Sequence, residues 1–284
     1  MAVSRFGFRT ALISVLCVFA LVLCSCAENT VFGDDMTDVG KIGMANAVKN
    51  AAAVLQTGAD TVIFYSENGF DDDEIQTLIN TVSINSGTAY TFSDYECMRY
   101  SKDGGKTLRI RFISNIPESR RRTLNEQLYD EIGEIGAKIA AENTGENKKR
   151  LCLAIHNYIC ENASYDYDIA PEEVKSDEAM IARSAYGALI GGKTICSGYA
   201  SAFLLLYNEI IGDGQCKIAA GVQGEGDGAV GHAWNAVRDN GKNYYIDCTL
   251  DDNDDGGYGF DYFYEPTDSE NFKYHTIEEN YFMD

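Results

Sequence analysis

Cys196, His232 and Asp247 have the types and order that nucleophilic chemistry needs: a thiolate to attack, an imidazole to move protons, a carboxylate to orient it. Cys196 stands where a turn rich in Gly and Thr gives way to an apolar-periodic run carrying Ala202, Phe203, Leu206 and Ile210. That pattern predicts a buried helix beginning at the cysteine. A thiol there meets the positive end of the helix dipole and unpaired backbone N–H groups, and both favour the thiolate. In such settings a cysteine pKa of about 8.5 falls to roughly 3.5–7.5.

A hairpin places the other two residues. Residues 230–238 and 242–250 are rich in β-formers and flank Asp239-Asn240-Gly241-Lys242, and Asn-Gly between such runs predicts a two-residue type I′ turn. Asp239 then pairs with Lys242, Trp234 falls opposite Asp247, and His232 shares Asp247's face one diagonal step away, at about 7–8 Å between Cβ atoms or somewhat less. A one-residue slip sends Asp247 to the other face. Each residue has a plainer use alone: Cys196 as a buried thiol, His232 as a satisfied strand histidine, Asp247 as a cap beside a turn.

Cys-x-Gly-Tyr-Ala at 196–200, Gly-His-Ala-Trp-Asn at 231–235 and Tyr-x-Asp-x-Thr at 245–249 resemble the bacterial transglutaminase-like domain of the papain-like superfamily. The flanks at 155–168, 184–200 and 262–275 are similar to that family too, and the resemblance covers about residues 146–284. It implies an α+β fold in which the nucleophile helix packs on an antiparallel sheet. It also implies a Cys–His–Asp triad acting on a peptide, protein or cell-envelope amide, without cofactor or metal. The Cys196 backbone N–H would be one oxyanion donor, and Tyr186 is the candidate for the second. Water as acceptor gives hydrolysis and an amine gives cross-linking; a non-catalytic binding module is the competing class.

The flanking elements must hold this site. At the N-terminus, Arg5 and Arg9 precede an apolar stretch from Ala11 to Leu23, shorter than a membrane-spanning helix needs. It ends in Leu23-Cys24-Ser25-Cys26, which resembles a lipobox; residues 1–25 read as a lipoprotein signal peptide and Cys26 as the lipidation site. The expectation is an exported protein held by its lipid on the extracytoplasmic face of the cell membrane. Losing residues 1–25 removes two arginines and no acid, taking the formal charge from −21 to −23, which excludes nucleic acid as a partner.

Residues 26–40 read as a flexible tether and 41–145 as a small α+β domain without a chemical motif. That domain is expected to hold a helix from Met44 to Leu55, a strand at 61–65, a helix opened by Asp71–Glu74 and a hairpin across 102–106. A long helix then begins at Pro117 and carries Leu124, Leu128, Ile132, Ile135 and Ile139 on one stripe. Arg120, Arg121 and Arg122 read as its solvated face, and His156 as decoration on the helix that follows.

Beyond the signal cysteines, Cys26 and Cys196, five cysteines remain: Cys97, Cys152, Cys160, Cys216 and Cys248. The odd number argues against a full disulfide framework, and Cys152 and Cys160 are too sparsely supported for zinc. Asp251, Asn253, Asp255 and Gly256 imitate the start of a calcium loop, but Tyr262 stands where a bidentate Glu belongs. They read as an acidic loop. His275 receives no role.

Overall fold

A computed structural model of the chain describes residues 36–170, 176–212, 214–253 and 256–277. The signal segment, Cys26, most of the tether and Asp255 fall outside them. The chain adopts the expected α+β architecture.

The N-terminal sheet has the order β1 (Met36–Asp38), β2 (Thr61–Tyr65), β4 (Thr107–Ile113), β3 (Asp94–Arg99). The tether reading fails at its last residues. Met36 pairs parallel with Ile63, giving that backbone a ladder partner, and Asp38 caps the short helix α1 (Val39–Ile42). Helix α2 (Met44–Gln56) buries Ala47, Val48, Ala51, Ala52 and Leu55. Helix α3 (Asp72–Asn85) starts at a capping box: Asp71 Oδ1 accepts from Glu74 N at 2.8 Å, and Glu74 Oε2 accepts from Asp71 N at 3.0 Å.

Helix α4 (Glu118–Glu142) buries the predicted stripe, and also Arg121. Arg120 and Arg122 stay on the solvated face, paired with Asp177 and Glu118. Arg121 instead donates to the carbonyls of Gly58 at 2.8 Å and Ile116 at 2.9 Å. A guanidinium has donors enough, in a fixed fork, to bond both carbonyls at once.

After α5 (Lys148–Asn162) come β5 (Ser164–Tyr165), α6 (Asp177–Ala182), a π-turn at Gly187–Gly191 and β6 (Lys193–Thr194). Helix α7 (Cys196–Ile210) then packs on an antiparallel sheet of order β10 (Phe263–Pro266), β9 (Lys242–Ile246), β8 (Val230–Asp239), β7 (Cys216–Gln223), β11 (His275–Ile277). Strand alternation gives the sheet two apolar faces. Ile218, Val237 and Ile246 join the main core with α7, whereas Trp234, Ala236, Tyr245 and Phe272 form a second cluster. The main core runs from Ala47 to Tyr264 and unites both sheets.

Candidate active site

Cys196 opens α7, with Ile195 in extended conformation as N-cap and no side-chain cap. The first turn is pressed against the preceding chain: a Cβ on Gly198 would lie 1.7 Å from Thr194 Oγ1 and 2.8 Å from the Ser184 carbonyl. Glycine is the residue that this approach admits, which explains its place in Cys-x-Gly. Ser197 Oγ donates to the Arg183 carbonyl at 2.8 Å, and Thr194 Oγ1 donates to that of Ala182 at 2.6 Å. The cysteine backbone is therefore fixed by polar contacts on both sides.

Asn240 and Gly241 both take positive φ, 49° and 76°, as a type I′ turn requires. The ladder runs Asp239↔Lys242 to Asn235↔Ile246, the register that Asn-Gly predicts. It stops one residue earlier than the sequence suggests. Asp247 leaves the strand and caps the four-residue helix α8 (Cys248–Asp251), its Oδ1 accepting from Thr249 N at 3.0 Å and Leu250 N at 3.2 Å. Its other oxygen, Oδ2, lies 2.6 Å from His232 Nε2. With Nε2 so engaged, Nδ1 is the ring nitrogen left for Cys196, whose thiol hydrogen-bonds with His232. Asn235 Nδ2, donating to the Ala200 carbonyl at 2.9 Å, ties β8 to α7.

The structure thus brings Cys196, His232 and Asp247 together. Cys196 is densely surrounded yet keeps some open surface. Burial works hardest against its thiolate; the hydrogen bond and charge of His232, with the Ala233 backbone N–H, outweigh it and hold the pKa below the ordinary value. Burial likewise opposes the imidazolium of His232, but the Asp247 charge and hydrogen bond overcome it and raise the pKa to about 10. Asp247, despite full burial, is held well below the carboxylate range by His232. All three shifts favour the charged forms of the thiol, the imidazole and the carboxylate when they stand together.

Sequence reasoning passed over several neighbours. His275 places Nε2 3.4 Å from Asp247 Oδ2, within ion-pair range but without hydrogen-bond alignment, and packs edge-on against Trp234. Its strand reaches the site by pairing with β7, a contact that no local pattern announces. The phenol of Tyr165 has its pKa raised to about 12, first by burial and then by the charge of Cys196. Tyr186 donates its hydroxyl to Gln127 Oε1 at 3.0 Å, which engages it away from an oxyanion role.

Two readings are corrected. His156 is no decoration: it is fully buried, with Nε2 3.0 Å from Asp251 Oδ2 and 3.8 Å from Cys160 Sγ. Asp251 is correspondingly no loop acid. It ends α8, is 2% exposed, and accepts from Tyr262 N at 3.0 Å. Two groups of described residues could in principle hold a cation: His232, Asp247 and His275, and His156, Cys160 and Cys248. In the first, the 2.6 Å contact is a hydrogen bond, far shorter than the N–O edge of about 3.4 Å on tetrahedral zinc.

Residues 137–248 match the family model described as "Transglutaminase-like superfamily", so the chain carries a transglutaminase-like domain. Among solved structures it is similar to a protein described as a TGase (14% identity, TM-score 0.38, 66% of this chain and 50% of that one). It is also similar to a candidate cysteine protease from Cytophaga hutchinsonii (13%, 0.32, 55% and 61%) and a candidate protease from Parabacteroides distasonis ATCC 8503 (15%, 0.27, 65% and 39%). The chain spans about half the length of the first of these structures. No curated protein matches it significantly.

Proposed function

We propose that this chain is a thiol-dependent acyl-transfer enzyme that hydrolyses a peptide or cell-envelope amide through Cys196, His232 and Asp247. One observation carries the reading: a single imidazole links a helix-start cysteine to a buried carboxylate that neighbouring backbone amides also hold. The Cys196 thiolate adds to the amide carbonyl, and the Cys196 N–H at the helix start stabilises the oxyanion. His232, acting as imidazolium, gives its proton to the leaving nitrogen as the C–N bond breaks, leaving a thioester. Water then adds to the thioester, His232 takes its proton, and the acid leaves as the thiolate re-forms. Asp247 fixes the ring and stabilises its charged form throughout.

The partner on this reading is a peptide, protein or envelope amide, and the setting is the extracytoplasmic face of a membrane, reached through a lipid on Cys26. That setting rests on the sequence of the N-terminus. Among the described residues no helix is long and apolar enough to cross a membrane. Incubating the protein with glutamine-containing peptides, with and without a primary amine, tests the chemistry by mass. Release of acid or cleaved peptide in both supports hydrolysis; amine adducts alone assign transfer. No acyl-enzyme with any peptide, on folded protein whose Cys196 alkylates normally, removes the catalytic reading. For the anchor, Cys26→Ser should leave the membrane fraction or remain unprocessed; identical unlipidated masses for both forms would discard it.

A further inference from the structure

We propose that His156, Cys160 and Cys248 form a structural site for a zinc-type divalent cation, with Asp251 as the fourth donor. His156 and Cys160 sit four residues apart on α5 and so share one face. Cys248 and Asp251 come from the two ends of α8. The imidazole nitrogen and the two sulfurs lie within 4.8 Å of one another, and Asp251 Oδ2 reaches the same nitrogen. Tetrahedral zinc, with bonds of about 2.0–2.3 Å, sets its ligands about 3.6 Å apart for N–S and about 3.4 Å for N–O. The observed 3.8 Å from His156 Nε2 to Cys160 Sγ is within a few tenths of an ångström of that spacing, while Asp251 Oδ2, now 3.0 Å from the same nitrogen, must move toward the sulfurs to join the ligands.

Burial distinguishes this group from ordinary core thiols. His156, Cys160, Cys248 and Asp251 are 0, 6, 3 and 2% exposed, four ionisable side chains converging where water cannot compensate them. The rings of Phe263, Phe260 and Tyr258 close around His156 at 5.2, 5.6 and 6.0 Å between centroids. Such a dry shell suits a closed structural site rather than a catalytic one, which keeps a position open. Asp251 Oδ1 is occupied by Tyr262 N, leaving Oδ2, which touches His156, as the oxygen available to a cation.

The test uses the full-length chain, prepared reduced and free of metal, titrated with Co²⁺ and then Zn²⁺. The expected result is one equivalent bound, with a thiolate-to-cobalt charge-transfer band and tetrahedral visible bands that zinc abolishes. Cys160→Ser and Cys248→Ser should each weaken binding about a hundredfold or more, since even outer-shell partners of metal ligands are worth ten- to a hundredfold. Asp251→Asn should weaken it less. Absence of the thiolate band in the wild-type protein overturns the proposal whether or not the variants fold. So does a band that persists in the Cys160→Ser/Cys248→Ser double variant, or a Cys160–Cys248 disulfide in metal-free protein that has not been reduced.

Discussion

Cys196–His232–Asp247 and Cys160–His156–Asp251 are built from the same three residue types, in one domain, on either side of α8. In the first, the sulfur starts a helix, Asp247 takes Nε2 of the imidazole and so leaves Nδ1 for the thiol, and some of the cysteine's surface stays open. In the second, the sulfur lies mid-helix, Cys160 and Asp251 crowd the same imidazole nitrogen, and aromatic rings seal the group. Both imidazoles have pKa values raised to about 10 against opposing burial. A perturbed histidine beside a cysteine therefore does not mark a reaction centre; access and the division of the two ring nitrogens do.

The largest effect should separate the two clusters outright. Cys196→Ala should abolish acyl-enzyme formation, His232→Ala should lower it on the order of 10⁶-fold, and Asp247→Ala on the order of 10⁴-fold, because such residues act as a unit. Cys160→Ser should stay within about tenfold of wild type. Comparable losses at Cys160 and Cys196, on folded protein, would erase the distinction. Next, one residue added within β9, between Tyr244 and Tyr245, should resemble Asp247→Ala, since it turns the carboxylate to the wrong face. One residue added to each arm should restore acylation.

Stability reverses the ranking. His156→Ala strands Asp251 without its buried partner and should cost about 3–5 kcal/mol by denaturant unfolding. His232→Ala should cost less, because Asp247 keeps two backbone donors. Equal losses would mean that both clusters are structural. The smallest effect is in pH. Alkylation of Cys196 should persist below the ordinary thiol value of 9.0, while native Cys160 stays unlabelled. Both histidines titrate higher folded than unfolded, so their contribution is complete below 6.5 and is lost as pH rises through about 10. The lowered Asp247 works in the opposite sense: its share is present above 3.8 and is lost as pH falls further. A denaturant midpoint that climbed between pH 7 and 10 would contradict the histidine signs.

What could be read from the chain was local. Asn240-Gly241 announces its turn and the register that follows, and Asp71 with Glu74 announces a helix start. The apolar run after Cys196 announces the helix and its buried side. What escaped depended on partners far away. His156 is silent until Asp251, 95 residues on, folds beneath it. Arg121 looks like one cation of three until the Gly58 carbonyl, 63 residues back, needs a donor. Asp247 reads as a strand residue because β-propensity continues through Tyr244, Tyr245 and Ile246, while its own side chain ends the strand by capping α8.

The hairpin between His232 and Asp247 works as a ruler with parity. Fifteen positions separate the two residues, and a two-residue turn lies between its arms. Lengthening one arm by one residue breaks the match; lengthening both moves only the tip. Kin that keep this turn should therefore vary the spacing in even steps. For the same reason the hairpin can be lengthened without disturbing the site, provided that residues are added to both arms in pairs and the Asn240-Gly241 turn is kept.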